Sequence, residues 1–344
     1  MGRSGVLSVF NEILRLPRAV LGFAVTLVGM VAFLSWDQSH WWRLREDYFF
    51  GFFVPIFVGY VLLERWPAIR DHFCGAAAPA SPARGERWLG PVLGFVAGAA
   101  VLGGIVFLLG GAAMRAIEGP RLPASQMHAI GFAAFLLGGV YLIGGRDAEG
   151  RQQPVRARWG LALLFVFPAL IWMLSAPMVD FLERQVSLIL LNRVASVVFW
   201  VFDVLGYTLI RQGNVLQLPT GDVGVEDACS GIRSLTGCLF AGSFLAAVFL
   251  DRFWKKVLMV GMAMLFAFLM NILRSLFLTA WAYQNGADSI SGTVHDATGY
   301  AVLGLTLVGL IALLPIFNYR LEWEDEPGEG GDDDSSAPVA PPAV

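Results

Sequence analysis

Charge is scarce in this chain. Asp, Glu, Lys and Arg make up 15% of its 344 residues, where an ordinary soluble domain carries about 25%. Cysteine is scarcer still. Three cysteines (Cys74, Cys229, Cys238) and four histidines show no zinc-type spacing, so neither a disulfide-stapled secreted domain nor a metal site is expected. No cofactor motif and no repeat of 20–50 residues is present. Basic residues are dispersed as single arginines in short loops, which excludes a nucleic-acid-binding face. What is abundant is apolar side chain: 56% of residues are hydrophobic even without the 39 glycines, and mean hydropathy is +0.64. These values exclude a disordered chain and a soluble globule. They leave an all-α polytopic membrane bundle with the lipid bilayer as its solvent.

Crossing a hydrocarbon core of about 30 Å takes about 20 apolar residues in a helix. Eight stretches qualify: 19–36, 48–63, 88–113, 129–145, 159–178, 231–250, 256–281 and 297–317. With the N-terminus cytoplasmic, 15 of the 24 Lys and Arg residues fall on the inner side. The positive-inside rule therefore predicts both termini inside, in a plasma (inner) membrane. The last 23 residues, 322–344, carry eight acids, no base and many Pro and Gly. Such a segment buries too little to offset chain entropy and is expected to be disordered. It divides the chain into a membrane domain (1–321) and an acidic tail (322–344).

Residues 185–210 are apolar enough for a ninth crossing. However, Gln185, Asn192, Ser196 and Asp203 recur at helical spacing on one face. An amphipathic outer helix is expected, and a crossing stays open as the alternative. Apolar alternation around Pro219-Thr220-Gly221-Asp222 then predicts a short extracytoplasmic hairpin-like loop.

Three residue types bear chemistry. Cys229 opens the sixth span in Asp227-Ala-Cys-Ser230-Gly-Ile-Arg233. A helix N-terminus and Arg233 one turn on favour the thiolate, while Asp227 opposes it. Arg274 follows Asn271 by three residues, so the two share a face near the far end of the seventh span; an intramembrane arginine is a functional candidate. His295, beside Asp296, precedes the eighth span and titrates near neutrality. His40, His72 and His128 are expected in loops without partners, and Cys74 and Cys238 as structural residues. Span counting puts Cys229, Arg274 and His295 on one membrane face. A thiol nucleophile, an imidazole base and a guanidinium are the parts of an acyl-transfer site.

The segments Asp227–Leu235, Asn271–Arg274 and His295 resemble the three motifs of the exosortase/archaeosortase family. Glu46–Pro55, the stretch from Phe167-Pro168 to Pro177, and Leu218-Pro219 are similar to other parts of that family, over roughly residues 30–317. The resemblance implies a membrane cysteine protease or transpeptidase with Cys229, Arg274 and His295 as catalytic residues, supported by Arg233, Asn271, Asp227 and Ser230. It implies partners that are membrane-anchored proteins with a C-terminal sorting signal, cut at the extracytoplasmic face. Asp227 stands where many members carry Glu, and Phe49-Phe50 where Ser-His is frequent. The alternative from another class is a transporter or channel-like protein in which Arg274, Asn271, Asp203 and Asp227 line a polar pathway.

Overall fold

A computed structural model describes residue 12 and residues 16–75, 86–224, 232–250 and 252–318. The acidic tail lies outside them. The chain begins with α1 (Arg18–Leu44) and a 3-10 segment (Glu46–Phe53), followed by α2 (Val54–Glu64) and α3 (Trp66–Cys74). Two long helices follow, α4 (Glu86–Glu118) and α5 (Leu122–Ile143). Next come α6 (Val155–Leu164), α7 (Val166–Ser175) and α8 (Asp180–Val204). Three short strands, β1 (Ile210–Gln212), β2 (Val215–Leu218) and β3 (Gly221–Gly224), form an antiparallel meander. The chain closes with α9 (Ile232–Phe249), α10 (Phe253–Asn285), a 3-10 turn (Ala287–Ile290) and α11 (Thr293–Asn318). This is an all-α polytopic membrane bundle carrying one small sheet.

Prolines set several boundaries. Pro55 and Pro123 sit in the first turns of α2 and α5, where a missing N–H costs nothing. Pro168 removes the donor that would reach the carbonyl of Leu164, and the helix breaks at Phe165 between α6 and α7. The guanidinium of Arg65 caps that freed carbonyl oxygen. An arginine at a bundle end thus satisfies a backbone group that lipid would leave bare.

Contacts at the helix ends define two faces. At one, Trp41 Nε1 donates to Ser125 Oγ at 2.9 Å, Trp42 Nε1 to the Ser175 carbonyl at 2.9 Å, and Ser175 Oγ to Gln38 at 2.6 Å. These bonds gather the end of α1, the start of α5 and the end of α7. At the other face, Ala148 N–H donates to the Phe73 carbonyl at 2.8 Å, and His72 Nε2 lies 2.9 Å from the Gly144 carbonyl. Between them, α4 and α5 pack closely along their length. A Cβ on Gly104 would stand 2.6 Å from the Gly131 carbonyl oxygen, and one on Gly131 would stand 2.7 Å from that of Gly104.

Helix α8 is long and apolar enough to cross a membrane, and by that criterion eight helices qualify, α8 among them. Its contacts give it another course. It starts at the first face, where Arg45 pairs with Glu183 and Met178 N–H donates to Tyr48 Oη at 3.0 Å. Leu191, Val194, Ala195, Val198 and Phe202 then pack on Phe268, Ile272, Leu276 and Tyr283 of α10. Phe202 meets Tyr283, twelve residues or about 18 Å of rise beyond Asn271. The helix therefore runs outward beside the far half of α10 and does not return to the opposite face. Thr236 Oγ1 of α9 donates to the Asp47 carbonyl at 3.1 Å, so α9 starts at the face where α8 began. The helices that run from one face to the other are α1, α2 with the 3-10 segment before it (Glu46–Glu64, 19 residues), α4, α5, α6–α7, α9, α10 and α11. Helix α9 has 18 residues, about 27 Å.

The polar stripe on α8 has a partner. Arg211 of β1 donates to Ser196 Oγ at 2.7 Å and also to the Asn192 side-chain oxygen. The meander thus docks on the amphipathic helix. Its other anchor is α10, where Thr220 Oγ1 donates to the Ala282 carbonyl at 3.0 Å and Leu218 and Val223 pack with Ala282, Tyr283 and Ile290. The expected hairpin is present as β2–β3, with Leu216 facing Val223 and Leu218 facing Gly221. Strand β1 adds to it through a turn at Gly213, whose φ of +65° suits glycine.

Three histidine expectations are corrected. His40 and His128 lie within α1 and α5, and His72 lies within α3. Polar residues Ser125, Gln126 and His128 lower the hydropathy of the first turns of α5, so the pattern alone starts that helix at 129. Structure extends it to Leu122 because those groups find partners inside the bundle.

Candidate active site

Helix α10 presents Asn271 and Arg274 one turn apart on the side facing α9 and α11. Asn271 is buried and Arg274 half-buried. Arg274 Nη2 donates to the main-chain carbonyl of His295 at 3.0 Å. That carbonyl also accepts from Thr298 Oγ1 at 2.9 Å. The carbonyl of His295 belongs to the first turn of α11, where the orphan groups are N–H donors. It therefore has lone-pair capacity for a guanidinium as well as for the hydroxyl. The guanidinium lies against α11 at Gly299, where a Cβ would stand in ordinary contact, 3.5 Å from Arg274 Nη2.

The His295 Nδ1 lies 3.4 Å from Asp296 Oδ1, a long contact, and the side chain is 31% exposed. A part-exposed imidazole thus stands on the helical turn whose carbonyl holds the Arg274 guanidinium. Arg274 and His295, 21 residues apart in sequence, are thus brought together as the sequence reading expects.

Asp227, Cys229 and Ser230 lie outside the described residues. Arg233 is a position in the first turn of α9. On either side, Gly224 ends β3, paired with Val215, and Leu235 of α9 shares a groove with Asn271. That groove, about 410 Å³, runs between α8, α9 and α10. Its walls are apolar, formed by Val186, Leu190, Met264 and Phe268, and Asn271 closes the end toward Arg274.

One polar cluster escaped the sequence reading. Asp37 of α1, fully buried, accepts hydrogen bonds from the Arg115 guanidinium and from Ser125 Oγ at 2.8 Å, and lies 3.1 Å from His128 Nδ1. Arg115 also covers the Trp36 ring at 4.2 Å. The signal was present as one acid, one base and one histidine near the same ends of three spans. Sequence separations of 78 and 91 residues hid it. Its position among α1, α4 and α5, away from α10, makes it a clasp between helices.

Among the described residues no group of three or more His, Cys, Asp or Glu side chains is arranged to hold a metal ion. The small-residue pairs also divide. Gly104, Gly110, Gly111 and Gly138 each face a neighbouring helix within 3 Å of an added Cβ, whereas Gly103 faces open space. The pairs therefore serve helix packing.

A family model described as transmembrane exosortase, EpsH, matches residues 41–312. Neither the curated proteins nor the solved structures contain a match. The matched span covers more than three quarters of the chain and includes Cys229, Arg274, His295, all of α2 to α10 and most of α11. It agrees with the resemblance read from the motifs and with the multi-pass membrane bundle. The chain belongs to the transmembrane exosortase family.

Proposed function

We propose that this protein is a membrane-embedded cysteine protease/transpeptidase that cuts C-terminal sorting signals of exported proteins at the extracytoplasmic face. Cys229 is the nucleophile, His295 the base and Arg274 the anion stabiliser. The observation that carries the reading is the bond holding Arg274 to the first turn of α11, which also bears the part-exposed His295 imidazole. The termini of the bundle then lie on the cytoplasmic side, where arginines are concentrated.

His295 takes the thiol proton, and the Cys229 sulfur attacks the substrate carbonyl carbon, whose oxygen gains charge beside Arg274. The C–N bond breaks, the amine leaves with the proton from His295, and a thioester joins substrate and enzyme. Water or an amine then attacks the thioester and returns the thiol. Asn271, one turn from Arg274 and at the end of the apolar groove, is placed to orient the polypeptide where it leaves the membrane. Asp227, Ser230 and Arg233 flank the nucleophile in sequence.

The test is intact-mass analysis of surface proteins from cells carrying the native chain or Cys229→Ala. The variant should accumulate full-length substrate with its C-terminal helix attached. Normal processing by a stably inserted Cys229→Ala protein refutes the nucleophile. A membrane-impermeant alkylating agent separates this function from a transport pathway: modification of Cys229 at neutral pH with loss of processing is expected of the enzyme.

A further inference from the structure

At the face opposite Arg274 and His295 lies a pocket of about 660 Å³. Three membrane helices end around it. The first turn of α1 supplies Pro17 and Val20, and the last turn of α5 supplies Leu142 and Ile143. Helix α6 supplies Arg158, and the intervening loop supplies Arg146. One wall is therefore hydrocarbon at the level where helices leave the membrane, and the other is cationic. Trp159, 53% exposed beside Arg158, is the ring type that settles at the headgroup level.

Among the described residues the two arginines of the polar wall have no carboxylate partner. Asp147 also lines the pocket, but its carboxylate is already occupied. Oδ2 accepts from Arg151 Nε at 2.7 Å and from Gln153 Nε2 at 3.2 Å, while Oδ1 accepts from the Arg151 N–H at 2.8 Å and the Glu149 N–H at 3.1 Å. Arg151 also pairs with Glu149, so both acids of the loop are held by Arg151. Arg158 donates its Nε to the Tyr141 carbonyl at 3.2 Å and lies over the Tyr141 ring at 4.1 Å. Those contacts fix the plane of its guanidinium without an anion. Arg146 is exposed. Among the described residues, neither Arg146 nor Arg158 pairs with a carboxylate.

We propose that this pocket binds the phosphate of an anionic phospholipid, gripped by Arg146 and Arg158, with the acyl chains running down Leu142 and Val20. A planar guanidinium matches phosphate oxygens in pairs, and basic pockets between membrane helices at the cytoplasmic side suit anionic headgroups. The volume falls within the range of small-molecule sites. The apolar wall distinguishes a lipid from free phosphate, which has no use for it. The ligand would tie α1, α5 and α6 together at the end of the bundle remote from the proposed chemistry.

The experiment uses the full chain purified in a neutral detergent. Native mass spectrometry follows its binding of phosphatidylglycerol, phosphatidylethanolamine and inorganic phosphate. The native chain should retain one phosphatidylglycerol in preference to phosphatidylethanolamine. Retention should fall about tenfold for each arginine removed, in Arg146→Gln and in Arg146→Gln/Arg158→Gln, since a charge-assisted hydrogen bond is worth about that factor. Arg146→Lys should restore part of it. Arg156→Gln, an exposed arginine outside the pocket, should change nothing. Because Arg158 also packs on Tyr141, Arg146→Gln alone decides the matter if the double variant misfolds. Equal retention of the two lipids, or unchanged retention by Arg146→Gln, overturns the proposal. Displacement of the lipid by low-millimolar inorganic phosphate assigns the cations to free phosphate and overturns the lipid.

Discussion

Two adjacent glycines should respond to the same substitution with opposite sign. In Gly104→Ala the new methyl stands 2.6 Å from the Gly131 carbonyl oxygen and 2.8 Å from the Phe135 nitrogen, both backbone atoms that no rotamer change can move. Ordinary contact begins at 3.4 Å, so α4 and α5 must separate by roughly 0.8 Å along a tightly packed seam. Overpacking of this kind costs about 1–3 kcal/mol, and rigid neighbours on both sides place it toward the upper end. The gain in helix propensity from glycine to alanine returns at most about 1 kcal/mol. A net loss of about 1–2 kcal/mol follows. In Gly103→Ala the methyl meets nothing within 4 Å, so only the propensity gain of up to about 1 kcal/mol remains. Thermal unfolding of the two variants in the same detergent reads the difference, with Gly104→Ala melting below the native chain and Gly103→Ala at or above it. Equal melting temperatures would refute the packing argument. Loss of substrate processing in Gly104→Ala at unchanged melting temperature would instead make this stripe a docking surface for a substrate helix.

The site and its supports make further predictions. Arg274→Lys keeps the charge but loses the planar fork, and processing should fall about 10²–10³-fold, the range for losing one anion-stabilising donor; alkylation of Cys229 should persist, and processing near the native rate would remove Arg274 from the chemistry. His295→Gln should shift the pH profile of Cys229 alkylation toward an ordinary thiol near pH 8.5, and an unshifted profile would show that the imidazole does not act on the sulfur. Arg115→Met leaves the buried Asp37 carboxylate without its cation and should destabilise the bundle by about 3–5 kcal/mol; Asp37→Asn in the same chain should recover part of that loss. Burial holds the His72 imidazole below its ordinary value of 6.5, against the opposing hydrogen bond to the Gly144 carbonyl. The folded state therefore prefers the neutral ring, and this stability is full above pH 6.5 and is lost as pH falls through the lowered folded value. The melting temperature should drop as pH falls below 6.5 and level off below the folded value, with a smaller drop in His72→Gln.

Much was legible in the sequence because bilayer physics is one-dimensional. The lengths of the apolar stretches and the arginine bias are local quantities, and they predicted a multi-pass helical bundle. The same counting put Arg274 and His295 at one end of the bundle, since they flank the short connection between two successive antiparallel helices. The polar stripe Asn192–Ser196 marked α8 as unlike the crossing helices. Arg211 then explains why that stripe exists. The start of α5 was misplaced for the converse reason. Ser125 and His128 look like loop residues by hydropathy, because their partner Asp37 comes from another helix.

The sequence by itself determined the solvent of this protein, its all-α multi-pass class and the residue types available for chemistry, because those depend on composition and spacing along one axis. Only the tertiary structure decided which ends meet. It laid Arg274 on the carbonyl of His295, tied Glu183 to Arg45 so that α8 runs outward, and left Arg146 and Arg158 facing an open pocket. These pairings join positions far apart in the chain. They depend on helix rotation and lateral order, which no periodicity encodes and which packing of whole faces selects.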